Sequence, residues 1–390
     1  MGGKDKTKKH GNKKIKDPQE LQEETSELTF FTDQQEALIF FFVFTLSQAV
    51  YYLTMYPSLA GGDSGELMTV AVEFGVAHPP GYPLITLLGC VFSKLLPVGT
   101  PVWRLNLLNT IFSGLSNGVI YLVVKQVTYN NPAAVLTALW CAFSRLHWTW
   151  SLHYEVFSLN NLLTGLIILT LVKFTKESTG SGMIRGAKVC AVMCGLAMAN
   201  QHTSILTIAP GALWVLASLI KGGVTQVKVL GTIALHGLAG LLLYLQIPLS
   251  ALIGTARHTW NDQSSVVNSL LTLKEHVLRE QYGTFKLHPN EKQTGLSYNL
   301  LHWFNQSTTD FTIFLWLISF TAILFSNKLQ RGRRDVRLLA AMLGFYTAVF
   351  CTLANHNVSA VLERFWMQPN VLLLCIAGKL STFVYILKKG

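Results

Sequence analysis

LNLLNTIFSGLSNGVIYLVV, residues 105–124, is a run of twenty residues without a charge, bounded by Arg104 and Lys125. A helix rises about 1.5 Å per residue, so such a run crosses the roughly 30 Å hydrocarbon core of a bilayer. Nine further apolar stretches follow the same reading, at 37–56, 132–148, 156–172, 186–200, 203–220, 228–248, 309–326, 338–354 and 370–387; those at 132–148 and 186–200 are short. Half of the 390 residues are hydrophobic and 13% are charged, against about a quarter charged in soluble domains. Backbone polar groups inside lipid must bond within their own segment, which favours helices over an open sheet. The expected fold is an all-α integral membrane bundle of about ten transmembrane helices.

Charge then sets a topology. The first 36 residues are a Lys- and Gly-rich tail without an apolar core, neither signal peptide nor folded domain, and residues 37–390 form the polytopic body. With that tail in the cytosol, alternate turns are basic, as the positive-inside rule requires: Lys125, then 173–188, 221–228, 328–337, and Lys388 with Lys389. The opposite turns carry Asp63, Glu66, Glu155, a long segment at 249–308, and the sequons at Asn305 and Asn357, the only N-x-S/T sites in the chain. That side is expected to be lumenal.

The net charge of +11 lies mostly in the tail and these basic turns, so topology accounts for it and no nucleic-acid partner is expected. All six cysteines sit in apolar stretches, and Cys190 with Cys194 has the spacing of helix packing rather than of a metal site. The chain has no P-loop, no G-x-S-x-G and no H-E-x-x-H motif. No cofactor is legible, and the involvement of a divalent ion stays open.

The polar features concentrate in GGDSGELMTVAVEFGVAHPPGYP, residues 61–83. Asp63 and Glu66 have capping-box spacing, Asp63 at N-cap and Glu66 at N3, which would satisfy the opening amides of a helix. His78 precedes a Pro- and Gly-rich break that ends that helix and forms a rigid turn. The segment 64–96 is expected to form one or two short helices joined at that break, lying along the lumenal interface.

GGDSGEL, AHPPGYPL, VWRLNLLNTIFSGLS, HYEVFSLN, ANQHTSILTIAPG, LREQYGTF and ERFWMQPN occur in that order between about residues 37 and 370. Together they resemble the multi-pass protein O-mannosyltransferases that modify IPT domains of plexins and related receptors, and a vertebrate member in particular. GGDSGEL with AHPPGYP is the most specific part. The resemblance implies a C-type glycosyltransferase architecture in the endoplasmic reticulum membrane, a dolichyl phosphate mannose donor, Ser or Thr acceptors in receptor IPT domains, and catalysis by a carboxylate of the first lumenal loop. Asp63 falls on that position. Family members generally continue beyond the point where this chain ends, so a short form with impaired activity is one expectation.

Such chemistry needs a base for the acceptor hydroxyl and cations for the departing phosphate. Asp63 is the expected base, with Glu66 orienting it or capping the helix. The lumenal side offers Arg104, Arg145, Arg257 and Arg364, together with His78, His147, His153, His202 and His258. Arginine binds phosphate in a bidentate manner, so Arg104 and Arg364, inside family-like blocks, are the foremost donor-phosphate candidates, with His78 beside them. Glu155 suits the N-terminus of the following span, with a second-carboxylate role as the alternative. Trp148, Trp150 and Tyr154 read as an interfacial aromatic belt, and Asn200-Gln201-His202 as a turn whose His202 stays among the candidates. The competing class is a transporter or lipid flippase, marked by charges and broken helices at mid-membrane. Here the carboxylates lie at a membrane end.

Overall fold

The computed structural model describes residues 30–254, 259–262, 264–281, 295–328, 332–354 and 362–379, and every regular element among them is helical. The tail to residue 29, Arg257, His258 and Asn357 lie outside the described residues. The helices are α1 Gln34–Thr54, α2 Ser64–Glu73, α3 Pro83–Leu95, α4 Pro101–Thr128, α5 Asn131–Ala142, α6 Arg145–Ser151, α7 Val156–Phe174 and α8 Gly180–Asn200. There follow α9 Ile205–Lys221, α10 Val227–Leu241, α11 Gln246–Ile253, α12 Val266–Leu278, α13 Leu296–Leu324, α14 Arg333–Leu353 and α15 Met367–Ala377.

Among the described residues, eight helical segments are long and apolar enough to cross a membrane. The stretch 132–148, read as one span, is instead two helices of 12 and 7 residues separated at Phe143 and Ser144. Twelve helical residues cover only about 18 Å. The stretch 186–200 is longer than its apolar run, because Thr179 accepts the Gly182 amide and starts a helix of 21 residues. Conversely, α13 begins at Leu296, inside the segment read as a long lumenal loop, and bends at Thr312 where the backbone is not helical.

The central helices are α4 and α7, each 83% buried over its most apolar window, whereas α1 is 22% buried and turns Leu38, Phe41, Phe42 and Leu53 outward. A rim of exposed aliphatic and aromatic side chains is what a lipid-facing perimeter requires. The 28 residues of α4 give a length of about 42 Å, and the two ends differ in charge. Around Gln126 and Val127 gather Lys176 and Lys379, whose ammonium groups donate to those carbonyls at 2.7 and 2.6 Å, with Asp335 nearby on Thr175.

The opposite end of α4 organises loops. Asn106 donates to the Tyr56 and Ser58 carbonyls at 2.8 and 3.1 Å and accepts the Tyr154 amide at 2.9 Å. Asn109 donates to the carbonyls of Trp150 and Ser151 and to the Ser158 hydroxyl. Each such bond is worth about 0.5–1.5 kcal/mol net, and more is lost when a buried partner is stranded. One polar ridge on α4 therefore ties the loop leading to Asp63 to the loop leading to Glu155. Tyr154, fully buried, completes the tie by donating to the Ile85 carbonyl of α3 at 2.6 Å. This is possible because residue 89 is glycine: a Cβ there would lie 2.2 Å from the Tyr154 hydroxyl.

Candidate active site

Residues 64–96 form two short helices, α2 and α3, of 10 and 13 residues, joined through the Pro- and Gly-containing turn. The capping-box reading of Asp63 and Glu66 is not what the fold builds. Asp63 stands at the N-cap of α2, but its side chain makes no capping hydrogen bond. Its Oδ2 instead accepts from Arg364 Nη2 at 2.9 Å. Glu66 accepts from the His78 backbone amide at 2.7 Å and pairs with His78 Nδ1 at 2.8 Å, which closes the stretch on itself. With Nδ1–H donating to Glu66, the other ring nitrogen accepts from the Tyr82 hydroxyl at 3.1 Å. Partial burial pushes the Glu66 carboxyl upward, but the hydrogen bonds it accepts from His78, with Trp260 adding to them, outweigh it and hold the group below its ordinary value.

Glu155 is the residue whose role changes most. It occupies the N-cap of α7 without a side-chain capping bond, is 1% exposed, and neither carboxylate oxygen is hydrogen-bonded among the described residues. Its Oε1 lies 3.6 Å from Arg364 Nη1. Gly62, with φ of +72°, brings the chain past this carboxylate, where even a Cβ would be 3.6 Å from Oε1. Burial pushes the Glu155 carboxyl up to about 8, despite the opposing charge of Arg364.

A raised folded-state value means that Glu155 holds its proton more tightly when folded. Its contribution to stability is complete below the ordinary 4.5 and is lost as the pH rises toward about 8. Glu155→Gln should therefore flatten the dependence of the thermal midpoint in detergent across that window. A midpoint with the parent's slope would show that another group carries it.

Arg364 bridges the two carboxylates from an aromatic cradle. Its guanidinium carbon is 5.1 Å from the Phe157 ring centroid and 5.4 Å from that of Trp150. Cation–π contacts of this kind strengthen when water is excluded, and the Arg364 side chain is 11% exposed. The short 3-10 turn Glu363–Trp366 that carries it is anchored by Arg145, which pairs with Glu363 and, at 3.2 Å, with Asp310. Trp150 and Tyr154 thus face inward, and the interfacial-belt reading fails for both.

Asp63, His78, Tyr82, Glu155, Arg364 and Arg279 line a polar cavity of about 50 Å³, together with Gln201 and His202. His202, Thr203 and Arg279 also line an adjoining apolar cavity of about 520 Å³, walled by Leu241, Leu242, Leu245, Leu273, Val277 and Phe350. A further apolar space of about 480 Å³ continues along α8, α9 and α10, sharing Met198 and Leu241 with it and bordered by Cys190 and Cys194. Arg279 was not singled out by sequence reasoning. The available signal was its place in the LREQYGTF block; the structure sets it in the left-handed region at the end of α12, where the two cavities meet.

The remaining sequence candidates divide clearly. His78 and Arg364 join Asp63, and His202 reaches the same cavity while bonding the Tyr244 hydroxyl at 2.7 Å. Arg104 does not join them: its guanidinium donates to the carbonyls of Ser93, Val98 and Gly99, a clamp on the end of α3. Asn305 is exposed but sits within α13 rather than in a loop, and Ser307 of its sequon is buried and accepts from Trp316 at 2.9 Å. Among the described residues no group of three or more His, Cys, Asp or Glu side chains could hold a metal ion.

The helical bundle has the C-type glycosyltransferase fold, as its likeness to a solved membrane protein shows. Over 88% of its length the chain superposes on 59% of the ArnT chain from Cupriavidus metallidurans, solved with undecaprenyl phosphate, at a TM-score of 0.60 and 13% identity. Residues 63–221 match the family model described as the protein O-mannosyl-transferase TMEM260 N-terminal domain. It is 37% identical over 342 residues to mouse protein O-mannosyl-transferase TMEM260, covering 86% of this chain and 48% of the mouse protein. Against the Dictyostelium discoideum protein of the same name, identity is 28% over 355 residues, or 84% of this chain and 42% of that protein. The chain spans about half the length of the curated relatives it matches.

Proposed function

We propose that the chain is the membrane-embedded catalytic part of a protein O-mannosyltransferase of the endoplasmic reticulum, moving mannose from dolichyl phosphate mannose to Ser or Thr hydroxyls of IPT-type receptor domains. The observation that carries this reading is the meeting of Asp63 and Glu155 with Arg364 at a cavity that shares His202, Thr203 and Arg279 with an apolar chamber. The lipid tail takes the apolar chamber. Arg279 and Arg364 take the phosphate, as charge-assisted donors suited to its oxygens. The sugar then projects toward Asp63. The polar cavity of about 50 Å³ holds about one or two waters, so binding of the donor draws the Arg364 guanidinium from the carboxylates to the phosphate and widens the space.

In the transfer, Asp63 accepts the acceptor hydroxyl proton as its oxygen attacks the anomeric carbon. The bond from that carbon to the phosphate oxygen breaks, and its electron pair leaves with dolichyl phosphate. A single displacement inverts the anomeric centre. This chemistry belongs on the lumenal face with the N-terminus in the cytosol, a placement supported by the lysines clustered at the far end of α4.

The direct test is transfer of labelled mannose from dolichyl phosphate mannose to an IPT domain by the purified protein in lipid nanodiscs. Labelled acceptor is the expected product. Sugar lipid crossing a vesicle membrane with no labelled acceptor would overturn the transferase reading in favour of a transporter.

A further inference from the structure

A second opening lies across α2 from the donor side. Gly65, Glu66, Thr69 and Val70 of α2 face Trp260 and Asp262 over a cleft of about 780 Å³, within the roughly 300–1,000 Å³ of ligand-binding sites. The far wall is tied to the end of α2: the Trp260 amide donates to the Val76 carbonyl at 2.9 Å, and the Val76 amide donates to the Thr259 hydroxyl at 3.0 Å. Asn261, 6% exposed, anchors the same wall by donating to the Ile247 carbonyl at 2.8 Å. Trp260 is 45% exposed, its ring 6.4 Å from that of His78 and its indole beside the Glu66 carboxylate. An exposed tryptophan on a hydrogen-bonded backbone is well suited to anchor a partner.

The two openings differ in charge. Among its described lining residues the cleft carries the carboxylates of Glu66 and Asp262 and no cation, whereas the apolar chamber ends at Arg279. Arg279 at the mouth of the chamber supplies the positive charge that a phosphate needs. Glu66 lines the cleft while its partner His78 lines the inner cavity, so the pair forms the partition between them.

We propose that this cleft is the acceptor-binding site, taking an extended Ser- or Thr-bearing polypeptide segment that is neutral or basic beside the hydroxyl, with Trp260 as its anchor. The assignment rests on the transferase reading for its consequence but has a test of its own. In the full-length protein, Trp260→Ala should raise the acceptor KM about 10–30-fold, the effect of losing one anchoring side chain, with affinity for dolichyl phosphate mannose unchanged. Gly65→Trp gives a second variant, since a Cβ at residue 65 meets nothing within 4 Å and the ring would fill the cleft. It should block the acceptor and spare donor binding. Binding of a synthetic Thr peptide, measured without donor, should weaken in parallel, and a Lys-flanked peptide should bind more tightly than a Glu-flanked one. If folded Trp260→Ala and Gly65→Trp proteins bind the peptide as the parent does, the cleft is not the acceptor site. A parent that binds the peptide but transfers no mannose overturns the transferase reading and leaves the cleft standing as a peptide site.

Discussion

On the proposed mechanism, Asp63→Asn should lower the rate of mannose transfer by about 10²–10⁴-fold, the usual consequence of losing a general base, while affinity for the lipid donor should not weaken. The substitution keeps the size of the side chain and an oxygen that can still accept from Arg364, now 2.9 Å from Asp63 Oδ2, so the fold should survive. With a neutral partner in place of the carboxylate, the guanidinium is freer to meet a phosphate, so donor binding should hold or tighten. Glu66→Gln should cost less, because Glu66 is engaged with His78 rather than with the Arg364 cluster. Donor affinity from a fluorescent or labelled lipid and turnover under saturating acceptor separate these effects. Transfer at the parent rate by a folded Asp63→Asn protein would remove Asp63 from the chemistry.

With Arg364 as the proposed phosphate ligand, Arg364→Met should produce the other large effect, on both donor binding and stability. A hydrogen bond to a charged group is worth about 1.5–3 kcal/mol, so loss of this cation should lower kcat/KM for the donor by at least about 10–100-fold. Removing one member of a buried charge pair costs up to about 3–5 kcal/mol, and the side chains of Arg364 and Glu155 are only 11% and 1% exposed. Glu155 limits that cost by taking up a proton, more easily at low pH because burial already raises its value. The thermal midpoint of Arg364→Met should therefore fall further below the parent as the pH rises. Adding Glu155→Gln should restore the midpoint without restoring donor affinity. A double variant that binds the lipid donor like the parent would show that Arg364 is only structural.

Two D-x-x-E runs show how far local pattern reaches. Asp33 accepts the Glu36 amide at 2.7 Å and Glu36 accepts from Thr32, so that run caps α1 as its spacing suggests. Asp63 and Glu66 have the same spacing and make neither bond, because Arg364 and His78 arrive from elsewhere with stronger claims on the carboxylates. Arg104 is the converse: its charge and its family-like block suggested a phosphate ligand, and three nearby carbonyls hold it instead. The buried asparagines of α4 had a legible signal in their recurrence at 106, 109 and 117 within an apolar run, since amides in lipid need partners. Which loops they hold was not legible.

The sequence by itself determined that this is a helical membrane protein, with a polar segment at 61–83, because a long uncharged run has few low-energy arrangements in lipid other than a helix. It also marked Asp63, through residue types and order that resemble a family. The tertiary structure alone decided the company Asp63 keeps: Arg364, 301 residues away, and a buried Glu155. The physical reason is that a charge at a membrane end is satisfied by whichever partner packing brings within about 3–4 Å. That partner is set by how α4, α7 and the Arg145-anchored turn meet, a property of the assembled bundle that no single segment carries.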